Sequence, residues 1–274
     1  MTDKYAVIGN PISHSKSPLI HEAFAKQTNQ DISYEAILAP LDNFAVTIEQ
    51  LMLAGYKGLN VTVPFKFEAF EICGELSQRA LHAGAVNTLL FQLQKGCWFG
   101  DNTDGIGLVN DVTLNLKYSL QGARVLLLGA GGAAQGVVYP LLQQQPSTIT
   151  IANRTLQKAH NIVEKFADNL DTLQAASFDN ITESFDIIIN ATSTGLTDTA
   201  LPIPNSIFAK GCLAYDMMYG RETPFMKQAR ENGAKVADGL GMLVEQAAEA
   251  FFIWRGVRPE TQSVMQMIRN LPKS

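Results

Sequence analysis

Short apolar runs alternate with amphipathic segments through the first hundred residues. The apolar, partly β-branched runs predict strands at residues 4–8, 34–38 and 58–63, and a hairpin formed by 86–92 and 96–100. Apolar positions at helical spacing predict helices at residues 19–26, 43–53, 65–73 and 77–81. An alternation of strand and helix is typical of a largely parallel sheet with helices on its faces.

The second half of the chain carries stronger strand signals. The predicted strands centre near Val125, Ile149, Leu173, Ile187, Ala214 and Val236. The run Phe185–Asn190 is mostly apolar and β-branched, which is typical of a strand buried on both faces. An apolar helix is predicted from about Met242 to Trp254. Because it comes after the last of these strands, we expect it to cross back and pack on the first half.

This pattern predicts an α/β protein of two domains, and 274 residues are enough for two modest ones. The polar segment 101–105 lies where one domain is expected to pass into the next. We predict one domain from residues 1–104 together with the returning segment 242–274. The second domain is predicted from residues 105–241.

A glycine-rich turn follows the predicted strand Arg124–Leu128. The string Gly129-Ala130-Gly131-Gly132-Ala133-Ala134 has the G-x-G-x-x-A spacing, and a helical pattern follows it. Glycines at these positions allow a tight turn and a close approach to a pyrophosphate, which then lies on a helix N-terminus. On its own the motif is weak evidence, because many glycine-rich turns bind no nucleotide.

The end of the next predicted strand strengthens a dinucleotide interpretation. Dinucleotide domains that bind NAD place an acid near this position to hold the ribose hydroxyls. This chain instead has Asn153-Arg154-Thr155, with Lys158 one helical turn later. A guanidinium pairs with a phosphate, whereas a carboxylate would repel it, so the string favours NADP. The alternative is an exposed helix cap in which Thr155 begins the next helix.

Composition and charge narrow the function classes. The chain is 46% hydrophobic and 17% charged, with a net charge of −5, and this gives no basic face for nucleic acid. The three cysteines are scattered, and the four histidines form no ligand-spaced cluster, so neither a disulfide framework nor a metal site is predicted. The charge-free run 125–142 is better explained by the glycine motif than by a membrane span. We expect a soluble, cytoplasmic protein with a small-molecule substrate.

Three clusters are more polar than a core requires: 13–17, 60–66, and Asn87 with the loop 100–105. Hydroxyls between a strand and a helix can bind a small ligand. Ser17-Pro18 also suits an N-cap residue followed by proline at the first helical position. Lys66 follows the third strand, at the sheet edge where ligands usually bind. Taken singly, the three are better explained as a capped loop, a solvated lysine and an interdomain turn.

Together these strings resemble the shikimate dehydrogenase family. The matching strings are Gly9–Pro18, Asn60–Lys66, Gly84–Thr88, Gly100–Gly105, Gly129–Ala134, Asn153–Thr155, Asn190–Ser193 and Asp238–Leu243. They span nearly the whole chain in order, which is far more specific than any single motif. The resemblance implies an N-terminal α/β substrate domain with a mostly parallel sheet and a C-terminal Rossmann-type NADP domain. It also implies an NADP-dependent oxidoreductase that interconverts 3-dehydroshikimate and shikimate on the route to chorismate and the aromatic amino acids.

The resemblance further implies roles for individual residues. Lys66 and Asp104 would be the catalytic pair. Ser15 and Ser17 would bind the substrate carboxylate, while the residues expected to hold the ring hydroxyls are Asn60, Thr62, Asn87 and Gln246, with Tyr215 as a further substrate contact. The residues expected to hold NADP are Gly129, Ala130, Gly131, Gly132, Ala133, Asn153, Arg154, Thr155, Lys158, Met217 and Gly239.

Two departures from the family pattern concern the cofactor. Many members carry Ser or Arg where this chain has Ala134 and Gln135, and often Arg where it has Lys158. A lysine lacks the bidentate fork of arginine, so Arg154 is expected to carry more of the selectivity for NADP.

In the predicted mechanism Lys66 exchanges a proton with the substrate oxygen, and Asp104 orients it. A nearby carboxylate favours the ammonium form of Lys66 and burial favours the amine, so its protonation state stays open.

Two alternatives remain at this point. One is a quinate/shikimate dehydrogenase with relaxed cofactor use, for which an acid would be expected after the second cofactor strand. The other is a non-catalytic nucleotide-binding regulator, which would lack the Lys66 and Asp104 pair. The sequence leaves open whether the protein is a monomer or a homodimer.

Overall fold

The computed structural model describes residues 2–194 and 198–272. The chain divides into two compact units. The first unit comprises Met1–Gly107 and Leu243–Ser274, and the second comprises Leu108–Met242.

The strands and helices of the described residues are as follows in chain order. The strands are β1 Asp3–Gly9, β2 Ile32–Leu38, β3 Tyr56–Val61, β4 Glu75–Leu76, β5 Thr88–Gln92, β6 Cys97–Asp101, β7 Arg124–Leu128, β8 Thr148–Ala152, β9 Leu173–Ala176, β10 Phe185–Asn190, β11 Phe208–Asp216 and β12 Lys235–Asp238. The helices are α1 Ser17–Thr28, α2 Phe44–Leu53, α3 Lys66–Glu71, α4 Gln78–Ala83, α5 Asp104–Asn110, α6 Gly132–Leu142, α7 Leu156–Glu164, α8 Pro224–Glu231, α9 Leu240–Arg255 and α10 Gln262–Arg269. A π-helical turn, Asp111–Asn115, continues α5.

The sheet of the first unit has the order β2-β1-β3-β5-β6-β4. β1 is parallel to both β2 and β3, and β4 is parallel to β6, whereas β5 runs antiparallel to β3 and β6. The predicted hairpin is therefore confirmed, and the sheet is mostly parallel as predicted. The carboxyl ends of β1 and β3 lie at the same edge, which brings the loops after these strands together.

The returning helix α9 packs on the first unit, as predicted. Trp254 stacks on Tyr5 with ring centroids 4.8 Å apart and donates its indole N–H to the carbonyl of Leu89 at 2.9 Å. A Cβ on Gly58 would lie 2.4 Å from the indole nitrogen, so a glycine in β3 makes room for this ring.

The sheet of the second unit has the order β12-β11-β10-β7-β8-β9, and all of its strands are parallel. This is the Rossmann strand order, and the glycine turn follows its first strand, β7. All six predicted strands are present. The buried positions of β7 and β10 explain their apolar sequences.

Four features of the fold differ from the prediction or were not predicted. Lys16, not Ser17, is the N-cap residue of α1, because Ser17 is already the first helical residue, and no side chain caps this helix. The two-residue strand β4, the π-helical turn and helix α10 were not predicted. β4 is too short for a periodic signal, whereas Val264 and Ile268 carry the helical spacing of α10.

Candidate active site

The polar loops of the first unit meet at one edge of its sheet. Ser15 and Ser17 follow β1, and Thr62 and Lys66 follow β3. A Cβ on Gly9, the last residue of β1, would lie 2.5 Å from the methyl group of Thr62. This close contact shows that the loops after the two strands are packed against each other.

Lys66 and Asp104 form an ion pair within the first unit. The Lys66 ammonium lies 2.6 Å from Asp104 Oδ2, and the two side chains are 27% and 22% exposed. Lys66 begins α3 and Asp104 begins α5. An ammonium has three donors, so Lys66 keeps N–H groups for a ligand while it is held by Asp104.

Asn87 holds the other oxygen of Asp104. Its side-chain amide donates to Asp104 Oδ1 at 2.8 Å. The amide oxygen of Asn87 accepts from the backbone N–H of Thr103 at 2.9 Å and from the Thr88 hydroxyl at 2.9 Å. Because both ends of the amide are bound, its orientation is defined.

Asn60 joins the same network through Thr88. Its Nδ2 lies 3.2 Å from the Thr88 hydroxyl and 3.3 Å from the backbone carbonyl of Asn87, and its Oδ1 accepts from the Tyr34 hydroxyl at 2.7 Å. The structure therefore links four of the sequence-predicted residues, Lys66, Asp104, Asn87 and Asn60, by hydrogen bonds. Tyr34, Thr88 and Thr103 were not predicted as site residues. Tyr34 is of a residue type that is ordinary in strands. Thr88 and Thr103 lie inside strings that match the family pattern, but the pattern assigned them no role.

The other predicted substrate residues occupy the same unit. Gln246 of α9 accepts from the Thr103 hydroxyl at 3.4 Å and donates to the carbonyl of Leu243 at 2.8 Å. Ser17 is buried, and Ser15 and Thr62 are half-buried. Among the residues that the structure describes, no hydrogen bond links Ser15, Ser17 or Thr62 directly to the Lys66–Asp104 pair.

A buried ion network supports the loop that carries Asp104. Arg79 of α4 binds Asp101 with two nitrogens, at 2.5 and 3.1 Å, and also reaches Glu249 at 2.9 Å. Asp101 Oδ1 accepts from the backbone N–H of Asn102 at 2.7 Å. Arg79 therefore holds the end of β6, three residues before Asp104, in one conformation.

His21 of α1 is fully buried beside Tyr34. Its ring stacks on Tyr34 with centroids 4.1 Å apart, and among the described residues neither ring nitrogen has a hydrogen-bond partner. Burial lowers the pKa of His21 to about 3, although the neighbouring Asn60 opposes this shift. The imidazole is therefore neutral at physiological pH and serves as an aromatic packing group.

This pKa predicts acid sensitivity of folding. Below its ordinary pKa of 6.5, His21 takes up a proton in the unfolded chain and not in the folded one until about pH 3. Between pH 6 and pH 4, the free energy of unfolding should therefore fall as the pH decreases. The fall should be steeper in the wild type than in His21→Phe, by about 1 kcal/mol per pH unit. Urea unfolding followed by tryptophan fluorescence measures this in the first unit, which holds both tryptophans. A Phe24→Leu control loses packing near His21 and should keep the wild-type slope, whereas equal slopes for wild type and His21→Phe would contradict the assignment.

In the second unit the glycine turn has the conformation that its sequence predicts. Gly129 has φ +106°, and a Cβ there would lie 3.2 Å from the carbonyl group of Ala191. Gly131, Gly132 and Ala133 are exposed at the N-terminus of α6, and Ala134 is buried beneath them. Ala130 is half-buried between Gly129 and Gly131. The first N–H groups of α6 are therefore accessible to an anion.

The residues that follow β8 form an exposed cationic surface without acidic side chains. Arg154, Thr155 and Lys158 are exposed, and Asn153 is half-buried with its amide bound to the carbonyl of Thr155 at 2.9 Å. Thr155 is the N-cap residue of α7, but its hydroxyl makes no capping hydrogen bond. The helix-cap alternative therefore placed Thr155 correctly at the start of the helix, but the side-chain hydrogen bond of a cap is not formed.

Met217 and Gly239 are held together at the ends of β11 and β12. A Cβ on Gly239 would lie 2.1 Å from the carbonyl oxygen of Met217, so only glycine fits there. Met217 donates its backbone N–H to the carbonyl of Asn190 at 3.0 Å. The buried side chains of Asn190 and Asp216 bond to each other at 3.0 Å beneath these loops.

The Tyr215 hydroxyl is hydrogen-bonded inside the second unit. The side chain is fully buried in β11, and its hydroxyl donates to Asp111 Oδ2 at 2.7 Å and accepts from the backbone N–H of Met242 at 3.2 Å. Burial, with the adjacent Asp111 carboxylate, holds the pKa of Tyr215 well above its ordinary value. The one hydrogen of this hydroxyl is used by Asp111, so a ligand could only donate to Tyr215, and the substrate contact stays a prediction.

Neither of two further site classes is found in the described residues. Across residues 2–194 and 198–272 no group of three or more His, Cys, Asp or Glu side chains could hold a metal ion. In the same ranges no helix is long and apolar enough to cross a membrane.

Three family models match successive parts of the chain. Residues 7–89 match the shikimate dehydrogenase substrate binding domain, residues 112–197 match shikimate / quinate 5-dehydrogenase, and residues 239–269 match the shikimate 5'-dehydrogenase C-terminal domain. The site residues from Ser15 to Asn87 lie within the first match.

Similar proteins match this chain over nearly its full length. The chain is 57% identical to the shikimate dehydrogenase (NADP(+)) of Methylobacillus flagellatus, over 97% of this chain and 99% of that protein. It is also 57% identical to the protein of that name from Dechloromonas aromatica, over 98% of each. A solved Ael1 enzyme from Pseudomonas putida superposes with a TM-score of 0.94 at 46% identity, covering all of both chains. Shikimate 5-dehydrogenase from Thermus thermophilus, solved with NADP(H) and shikimate, gives a TM-score of 0.86 at 32% identity, over 98% of this chain and 99% of that one.

Proposed function

The chain belongs to the shikimate dehydrogenase family, and we propose that it catalyses the NADP-dependent, reversible reduction of 3-dehydroshikimate to shikimate. The observation that carries this proposal is the Lys66–Asp104 ion pair, held at 2.6 Å and bonded through Asp104 to Asn87. A proton donor beside polar hydroxyl-binding groups is what reduction of a carbonyl on a polyhydroxylated ring requires. The reaction belongs to the route that leads to chorismate and the aromatic amino acids.

The residues of the second unit fit NADP. The exposed N-terminus of α6, preceded by Gly129 at positive φ, suits a pyrophosphate. Arg154 and Lys158 are exposed after β8, on a string without the acid that NAD-binding domains use at this point. Asn153 and Thr155 flank the guanidinium, and Met217 with Gly239 would lie near the nicotinamide. When bound, NADPH supplies the hydride.

The first unit supplies the groups for the substrate. Ser15 and Ser17 would bind the carboxylate, and Asn60, Thr62, Asn87 and Gln246 would hold the ring hydroxyls. Half-buried hydroxyls and oriented amides recognise a polar ring with little loss of conformational entropy, since their own positions are already restrained.

Lys66 moves the proton in this mechanism. Its ammonium stabilises the negative charge that develops on the carbonyl oxygen and then protonates that oxygen, while in the reverse direction the amine accepts the hydroxyl proton. Asp104 keeps the ammonium in place through Oδ2, and Asn87 keeps Asp104 in place through Oδ1. The presence of this pair argues against a non-catalytic regulator, and the acid-free string Asn153–Thr155 argues against relaxed cofactor use.

We further place the protein in the cytoplasm as a monomer or a homodimer. Cys73, Cys97 and Cys212 are free thiols, which suits a reducing compartment.

The test is a spectrophotometric assay of purified protein with NADP⁺ and shikimate, run beside NAD⁺ and quinate. Turnover with shikimate and NADP⁺, and at least 100-fold less with either substitute, supports the proposal. Comparable rates with quinate or NAD⁺ would assign the chain to the broader quinate/shikimate activity. Folded protein that binds NADP⁺ without turnover of any substrate would overturn an enzymatic role.

Replacing Arg154 by alanine should weaken the binding of NADP⁺ and leave the binding of NAD⁺ unchanged. A charge-assisted bond to the extra phosphate is lost, so KM for NADP⁺ should rise about 10–100-fold, while KM for NAD⁺ stays within twofold. Initial rates at saturating shikimate measure both values. Arg230→Ala, an exposed arginine of α8 paired with Glu222, is the matched control and should change neither. An unchanged KM for NADP⁺ in Arg154→Ala would show that another group holds the phosphate.

A further inference from the structure

The Tyr34 hydroxyl lies at the end of the polar network of the first unit. It donates to Asn60 Oδ1 at 2.7 Å. Tyr34 is in β2 and Asn60 is in β3, the two strands that flank β1. Burial holds the pKa of the phenol well above its ordinary value, although the Ser17 side chain opposes this shift. Tyr34 therefore bonds to one of the residues expected to hold substrate, and it stays a neutral donor at every physiological pH.

The hydrogen bonds of this network all run in one direction. Tyr34 donates to Asn60, Asn60 donates to Thr88 at 3.2 Å, Thr88 donates to Asn87 at 2.9 Å, and Asn87 donates to Asp104 at 2.8 Å. The series ends on the carboxylate that holds Lys66. Consecutive bonds of the same polarity strengthen one another, and each amide is fixed by its neighbours.

The orientation of the Asn60 amide has a chemical consequence. Nδ2 uses its two hydrogens on the carbonyl of Asn87 and the hydroxyl of Thr88, and Oδ1 uses one lone pair on Tyr34. The amide then has one acceptor position left and no donor. A ligand hydroxyl that reaches Asn60 can therefore only donate to it.

The Tyr34 ring is itself held firmly. It stacks on the His21 ring with centroids 4.1 Å apart and planes 9° from parallel, and Trp254 of α9 lies 6.2 Å away. Because His21 is fully buried and neutral, this support does not change with pH in the working range.

We propose that Tyr34 is a positioning residue for the substrate: through Asn60 it presets a hydrogen-bond acceptor for one ring hydroxyl. The inference rests on the proposed function, and it adds that Asn60 recognises that hydroxyl only as a donor. Tyr34 acts through Asn60 and is not itself a substrate contact.

A double-mutant cycle on the full chain tests this. Tyr34→Phe keeps the ring and its stacking and removes one hydrogen bond, so the Kd and KM for shikimate should rise about 3–10-fold with KM for NADP⁺ unchanged. In an Asn60→Ala background, the same Tyr34→Phe change should have no further effect on shikimate binding, because the group it positions is gone. Tyr56→Phe is the matched control, since it removes a hydroxyl bonded to Glu35 in the same sheet and should leave both values unchanged.

Each outcome decides the inference. A Tyr34→Phe effect that adds in full to that of Asn60→Ala, an equal rise in KM for NADP⁺, or wild-type kinetics in Tyr34→Phe would overturn it. Calorimetric titration with shikimate separates this inference from the proposed function. If the wild type binds shikimate without turnover, the proposed function is wrong, and the double-mutant cycle can still be measured through Kd. If the wild type does not bind shikimate, both are wrong. Should Asn60→Ala fail to fold, Asn60→Ser removes the amide acceptor with a smaller change and serves the same cycle.

Discussion

Replacing Lys66 by alanine is expected to lower kcat for shikimate oxidation by about 10²–10⁴-fold, the usual range for loss of a general acid or base. KM for shikimate should change by no more than about threefold, because the predicted ring contacts of Asn60, Asn87 and Gln246 remain. The reason is geometric. The ammonium is held 2.6 Å from Asp104, and it is the one cation that the described residues pair with this carboxylate. Its removal takes away the proton donor and leaves the hydroxyl-binding amides in place.

Steady-state rates over a range of shikimate concentrations, at saturating NADP⁺, measure kcat and KM separately. Lys95→Ala is the control, since Lys95 forms an exposed ion pair with Glu75 in the same unit and should keep wild-type kinetics. A rise in KM as large as the fall in kcat would indicate that Lys66 binds substrate and does not transfer the proton.

Replacing Asp101 by alanine should lower the free energy of unfolding of the first unit by about 3–5 kcal/mol, the cost of breaking a buried ion pair. The Asp101 side chain is 3% exposed and Arg79 is 23% exposed. Loss of the carboxylate leaves the guanidinium with Glu249 as its remaining ion-pair partner, and it releases the Ser77 hydroxyl and the backbone N–H of Asn102. A large effect follows because three donors, the half-buried Arg79 and Ser77 and the buried backbone N–H of Asn102, lose one acceptor together.

Urea unfolding followed by tryptophan fluorescence gives this value, as both tryptophans lie in the first unit. Glu75→Ala removes the exposed ion pair with Lys95 and should leave the unfolding midpoint unchanged within error, in keeping with the small contribution of surface ion pairs. A loss below about 1 kcal/mol in Asp101→Ala would show that the network contributes little to folding.

Much of the fold could be predicted because its signals are local. Strands β7 and β10 of the second unit each carry an apolar run, and Gly129 begins the turn Gly129–Ala134 with positive φ and a close approach to Ala191. Strand β4 and the π-helical turn were not predictable in this way, since two residues define no period and a π turn differs from an α-helix only in its hydrogen bonding. Helix α10 was missed despite its buried Val264 and Ile268, because eight residues with two apolar positions are a weak pattern.

Four residues of the hydrogen-bonded cluster could be named from the sequence, but the bonds between them could not. Resemblance to a family named Lys66, Asp104, Asn87 and Asn60 from short strings. It could not name Tyr34 or Thr88, whose residue types are ordinary in strands. Nor could it show that the Tyr215 hydroxyl bonds to Asp111 and to the backbone of Met242.

The sequence by itself determined the strand and helix order, the glycine turn, the acid-free string after β8 and the residue types at the site. These depend on backbone preference and side-chain chemistry, which act over a few residues. Only the tertiary structure decided that Lys66 meets Asp104 across 38 residues and that Tyr34 meets Asn60 across 26. Such pairings depend on which strands lie side by side, and that order follows from packing of the whole sheet, because no single segment buries its apolar face alone.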